Sequence, residues 1–193
     1  MEFYLLAGLG NPGPKYAANR HNVGSRCLES LASAHHLRFD RQQKQARVAL
    51  GIIQGRRVVL AQPQTFMNDS GRAVVPLARF YRVPPHRLLV VYDDLDLPSG
   101  AVRMRPEGGS GGHRGVRSII EQLGEQGFPR LRIGIGRPPG RMDPADYVLR
   151  DFSAEEALQL DETLERAVAA IETWLVQGID MAMSRHNSGP LCL

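Results

Sequence analysis

Hydrophobic and polar positions along this 193-residue chain follow two periods, one of strands and one of helices. Residues 2–9, EFYLLAGL, are almost wholly apolar and end at glycine, the pattern of a strand buried on both faces. Residues 22–37 set Val23, Cys27, Leu28, Leu31 and Leu37 near helical spacing and predict a first helix. Two β-branched runs around QGRR predict a hairpin over 46–63. A helix is predicted over 66–83, opened by Asn and Ser capping candidates and carrying Pro76 inside it as a candidate kink. Residues 87–98 form a buried strand that runs straight into acids. From 100 to 115, Val102 and Met104 alternate with Arg103 and Arg105 before a glycine loop begins. A helix over 116–124 closes at Gly124, and 129–140 is a strand, again with alternate arginines. The last helix has the fullest signature. Ser153 and Glu156 form a capping box, Ala157, Leu160, Leu164, Val168, Ile171 and Leu175 make one face, and Gly178 closes it. Strands interleaved with helices, one connection being a hairpin, give a single α/β domain over 1–193: a mixed β-sheet flanked by helices, with a C-terminal amphipathic helix.

Composition narrows the setting. With 42% apolar and 23% charged residues the chain is an ordinary soluble globular sequence with enough length for its own core. It lacks an apolar run long enough to span a membrane and a secretory leader pattern, and Cys27 and Cys192 form no paired motif. Two reduced thiols in a cytoplasmic protein are therefore expected. The net charge of +4 conceals an asymmetry: residues 101–141 carry 8 Arg against 3 Glu, whereas 142–181 carry 10 acids against 2 Arg. A basic body with an acidic C-terminal segment suits a polyanion held on one face.

Two motifs offer chemistry and fail on context. GLGNPG at 8–13 spells a dinucleotide-binding turn, but Pro12 and Pro14 lack the N–H groups that a phosphate-binding helix start needs. No ribose-binding acid ends the next strand. GGSGG at 108–112 spells a nucleophile elbow, yet Ser110 follows a proline-broken loop rather than an apolar strand. A serine esterase built on Ser110 stays the enzymatic rival.

A different constellation fits better. Strands of α/β folds deliver polar residues at their carboxyl ends. The first strand leads to Asn11, the strand at 58–62 to Asn68, and LLVVY to Asp93, while His21 lies in the loop before the first helix. A carboxylate beside His21 would fix its tautomer and let it take a proton from water. The two asparagines could hold that water or donate to a developing oxyanion. Asp93, Asp94 and Asp96 could also mark a turn or a divalent-cation cluster, but no second acidic or histidine group of ligand spacing lies near, so no metal is expected.

GLGNPGPKYAANRHNVG, QPQTFMNDSG, VVYDDLDLPSG, GGSGGHRG and RLRIGIGRP resemble, in order and spacing, the bacterial-type peptidyl-tRNA hydrolases. The likeness runs from residue 3 to about 185. It implies a monomeric, metal-free enzyme without cofactor that cleaves the ester between a peptide and the 3′ ribose of tRNA, on a twisted mixed sheet between helices. Carried over by motif, His21 is the general base and Asp93 orients it. Asn11, Tyr16, Phe66 and Asn68 are substrate-binding, as is the position of Arg114, where the family commonly has Asn. Arg105 and Arg132 correspond to two cations that clamp a tRNA phosphate, and 140–152 to a movable lid. Tyr92 stands where a His is more usual. Relatives of this fold that bind RNA without hydrolysing it leave a binding module as the alternative.

Overall fold

A computed structural model describes residues 2–187. Seven strands form one mixed sheet: β1 Phe3–Gly8, β2 Arg41–Gln43, β3 Ala46–Ile53, β4 Arg56–Pro63, β5 Leu88–Asp94, β6 Val102–Arg105 and β7 Arg130–Gly134. Their order is β2-β3-β4-β1-β5-β7-β6. The inner strands β4, β1, β5 and β7 run parallel, and the outer ones pair antiparallel. Among the described residues six α-helices accompany them: α1 Val23–Ala34, α2 Gly71–Phe80, α3 Arg114–Leu123, α4 Pro144–Val148, α5 Ala154–Gln177 and α6 Ile179–His186. Among the described residues no helix is long and apolar enough to cross a membrane.

The sheet is buried on both faces, which is why its central strands read as unbroken apolar runs. Side-chain alternation splits each strand between two cores. Leu6, Leu89 and Val91 point to the side packed by α1 and α5, with Leu28, Leu31, Leu164 and Ile171. Leu5, Ala7, Leu88 and Val90 point to the other, with Val74 and Leu77 of α2 and Val116 and Ile119 of α3. The chain leaves β1, builds β3 and β4 on one side of it, then crosses to place β5 on the other. That reversal opens a crevice at the carboxyl ends of β1 and β5.

The expected elements are present, with physical differences. The stretch 66–83 is a 3-10 turn, Met67–Asp69, followed by a shorter α2. Ser70 does not cap that helix; its hydroxyl donates to Met67 O at 2.8 Å, and Ser118 Oγ of α3 accepts the Gly71 N–H at 3.0 Å. The strand expected to reach 98 stops at Asp94, because Asp94 Oδ1 accepts the Asp96 N–H at 2.8 Å and turns the chain. The strand expected to reach 140 stops at Gly134. Gly8 and Gly10 lie outside the left-handed region; only Gly13 of that motif has positive φ, at 96°. A Cβ on Gly8 would stand 2.4 Å from Gly24 O, so Gly8 lets α1 lie against β1 rather than making the turn. The α5 capping box forms in both directions, although Ala157 is exposed because the residues that α5 buries begin only at Leu160. The Asn187 side chain pairs with both the N–H and the C=O of Met104, satisfying backbone groups of the edge strand β6. Cys27 is buried, and burial pushes its thiol up to about 12, so it is a core group and not a nucleophile. Cys192 lies outside the described residues.

Candidate active site

His21 sits in a 3-10 turn, Arg20–Asn22, directly before α1, and Asp93 sits near the carboxyl end of β5. The crevice between β1 and β5 brings them together. His21 Nδ1 lies 2.8 Å from Asp93 Oδ1. A second histidine reaches the same oxygen: His113 Nε2 is 3.0 Å away. His113 caps α3, its Nδ1 accepting the Val116 N–H at 3.3 Å. That bond places the His113 proton on Nε2, where it donates to Asp93. Burial by itself would raise the Asp93 carboxyl, but the two imidazoles facing it hold it well below the ordinary carboxylate range. An ionised Asp93 then takes the Nδ1–H of His21, leaving His21 Nε2, which has no partner among the described residues, as a proton acceptor.

A cleft of about 700 Å³ opens over this pair. It gathers Asn11, Tyr16, His21, Phe66, Asn68, Asp93 and Arg114, seven of the nine expected site residues. Arg105 and Arg132 do not line it. Asn11 is held on three sides. Its N–H donates to Asn22 Oδ1 and its carbonyl accepts from Asn22 Nδ2, both at 2.9 Å, while its own Oδ1 accepts the Met67 N–H at 2.8 Å. With Oδ1 occupied, the Asn11 amide has its two N–H donors left for the cleft. Asn68 and Phe66 are exposed on the loop after β4, Phe66 at 58%. Phe66, Tyr16, Pro138 and Leu149 give the cleft apolar walls suited to side chains, and its floor is polar.

The three acids of DDLDLP go to different partners. Asp93 serves the histidines, Asp94 Oδ2 accepts from Arg132 Nε at 2.6 Å, and Asp96 pairs with Arg137 on the surface at 2.5 Å. The expectation that no second histidine of ligand spacing lies near these acids is corrected. His21, Asp93 and His113 bring ligand-type atoms within 4.8 Å of one another, a contact created by the fold across 92 residues of chain. Their spacing around one carboxylate oxygen is that of N–H···O bonds.

Arg103, Arg105, Arg130 and Arg132 share one face of the β6–β7 pair, since Arg103 is registered with Arg132 and Arg105 with Arg130. Arg105 and Arg132 are therefore diagonal neighbours, and Arg103 stands directly across from Arg132. The four differ in function. Arg130 is buried, lying over the Phe128 ring and donating to Gly109 O at 2.8 Å and Gln126 O at 3.1 Å, so it anchors the glycine loop. Ser110 in that loop lines the cleft and its carbonyl accepts the His113 N–H, but no strand feeds it and no elbow forms. Tyr92 packs at a tilt against His113, with ring centroids 4.8 Å apart.

His113, Asn22 and Arg20 contribute to the site with little signal of their own in the sequence: His113 sits inside a glycine loop, although a histidine between glycines and a helix is a capping position, and Asn22 and Arg20 flank His21.

Comparison with known proteins agrees with this geometry. A family model described as peptidyl-tRNA hydrolase matches residues 5–191. A peptidyl-tRNA hydrolase of Chloroflexus aggregans is 52% identical over 185 residues, covering 95% of this chain and 98% of that one. The chloroplastic peptidyl-tRNA hydrolase of Arabidopsis thaliana is 47% identical, covering 96% of this chain and 65% of its own length. The crystal structure of peptidyl-tRNA hydrolase from Acinetobacter baumannii superposes with a TM-score of 0.90 at 36% identity, covering 97% of this chain and 95% of that one. A match along nearly the whole chain, with a histidine–carboxylate pair at the sheet's switch point, places this protein in the peptidyl-tRNA hydrolase family.

Proposed function

We propose that His21 is the general base of peptidyl-tRNA hydrolysis by this protein, oriented by Asp93, with Asn11 and Asn68 holding water and substrate. The observation that carries the assignment is the 2.8 Å contact of His21 Nδ1 with a buried carboxylate, which leaves Nε2 free at the cleft floor. A water on Nε2 loses its proton to the imidazole as its oxygen attacks the ester carbon. The carboxylate stabilises the imidazolium that forms. Asn11 N–H donors meet the developing oxyanion, and the imidazolium returns the proton to the departing 3′ oxygen of the ribose. An activated ester suits a site with one base and neutral donors.

The apolar walls take the peptide part. Arg114 is exposed at the first turn of α3, beside the cleft, and is positioned to meet the 3′ end of the tRNA. Arg105 and Arg132 lie outside the cleft on the arginine face, where they hold a phosphate further along the acceptor arm. Replacing His21 by Ala is expected to lower turnover of N-acetyl-aminoacyl-tRNA by about 100-fold or more while tRNA binding persists. Retention of full turnover would overturn the assignment.

A further inference from the structure

Arg20 precedes His21 and is buried, 7% exposed. Its backbone N–H donates to Arg150 O at 3.0 Å. Nη1 donates to Asp151 O at 2.6 Å and to Arg150 O at 3.3 Å, and Nη2 donates to Glu156 Oε2 at 2.6 Å. The guanidinium lies over the Tyr147 ring, 4.3 Å from its centroid, and near that of Phe152 at 5.3 Å. Asn19 adds an antiparallel bridge to Asp151 and a 2.5 Å bond from Nδ2 to Asp151 Oδ1. Glu156 Oε2 also accepts the Ser153 N–H at 2.7 Å, so Arg20 reaches the carboxylate that caps α5. One fork thus collects two carbonyls, an aromatic face and the cap of the longest helix.

The segment so gripped is the cleft's far wall. Asp143, Pro144, Ala145, Val148 and Leu149 line the cleft, and the ends of this wall lean on Arg20 and on the bond from Tyr147 Oη to Ile135 O, 2.9 Å. Arg20 and His21 belong to one three-residue turn, and such a turn does not shift at one end without moving the other.

We propose that Arg20 is a positioning residue that couples the 143–149 wall of the cleft to His21. With the wall seated, the turn is pinned from both sides and His21 is held in register with Asp93. When the wall lifts, the turn is released and the base loses its alignment. Hydrolysis is thereby tied to a closed cleft. This inference rests on His21 being the base.

The test uses Arg20→Lys, which keeps charge but loses the fork, and Glu156→Gln, which takes the charge from the Nη2 contact while its amide oxygen still accepts the Ser153 N–H of the capping box, and which serves if the first variant fails to fold. Hydrogen exchange of 147–152, steady-state kinetics on N-acetyl-aminoacyl-tRNA and the His21 ring NMR signals are read together. The coupling predicts exchange at least about tenfold faster in that segment, kcat lower by about 10- to 100-fold with KM within about twofold, and displaced His21 signals. Faster exchange with kcat and His21 signals unchanged would reduce Arg20 to a structural anchor and overturn the coupling. Unchanged exchange would overturn it as well. A fully active His21→Ala would instead remove the base assignment itself, whatever the Arg20 variants do.

Discussion

Asp93 Oδ1 faces both His21 and His113, and this sharing decides how the site responds to acid. The two imidazoles hold the folded-state carboxyl below its ordinary value of 3.8 against the opposing effect of burial. A depressed carboxyl contributes stability that is fully present above the unfolded value and lost as pH falls through the folded one. The contribution is therefore intact at neutral pH and fades as the pH approaches and passes below 3.8. In Asp93→Asn that contribution is missing at every pH. Urea midpoints of parent and variant are expected to stay a constant distance apart above about pH 5 and to converge as acid is added below the unfolded carboxyl value. A gap that held its width down to pH 2 would show that Asp93 is not the group responsible. In the proposed mechanism the same ionised carboxylate supports the imidazolium during turnover. An amide there accepts an N–H but carries no charge, so turnover of Asp93→Asn should fall by about 10²–10⁴-fold, and the acid limb of the parent's rate profile belongs to a group other than Asp93.

At the scale of elements, the placement of His21, the proposed base, depends on how closely α1 lies on the sheet, because the turn carrying it runs directly into that helix. Gly24 in its first turn faces Val91 O, and a Cβ there would stand 2.2 Å from that oxygen, with Gly8 making the matching approach from β1. Both obstacles are backbone, so neither can rotate away. Gly24→Ala is expected to lower stability in urea by about 1–3 kcal/mol and to lower kcat as the helix start is pushed off β5; an unchanged midpoint would mean that α1 has slack. This contact also marks where the sequence stops being legible. Periodicity exposed the strands, α1 and α5, and the α5 capping box was readable because all its partners lie within four residues. β2, a strand of three residues, and α4 and α6, helices of five and eight residues, are too short for their own periods to show. The functions of Gly8, His113, Asn22 and Arg20 depend on partners brought near by folding: Gly24, Asp93, Asn11 and the 147–156 segment. His21, Asp93 and Asn11 could be found because strand ends in α/β folds deliver side chains to one edge. The glycines of GLGNPG resembled a turn motif because a close approach and a tight turn ask for the same residue.

Over the whole molecule, charge is sorted by sheet face. The β6–β7 pair shows Arg103, Arg105 and Arg132 on one face, while Val102, Met104, Leu131 and Ile133 on the other pack with α5 residues. Helix α5 carries six acids against a single arginine, Arg166. A polyanion is drawn to the first face and repelled from the second, which fixes its approach as well as its affinity. The two arginines proposed to clamp a phosphate differ in cost. Arg105 is exposed, and its removal takes away one cation. Arg132 is held by Asp94, whose side chain is only 12% exposed, and its removal leaves that carboxylate without its partner on the binding face. Arg105→Ala should therefore weaken tRNA substrates and reduce the slope of log affinity against log salt by about one. Arg132→Ala should cost more, since a lost cation and an exposed like charge act in the same direction. Small N-acyl-aminoacyl nucleoside esters, which end at the cleft, should be turned over almost unchanged by Arg105→Ala. Equal losses on tRNA and nucleoside substrates would instead mean that these arginines support the sheet edge and do not grip phosphate.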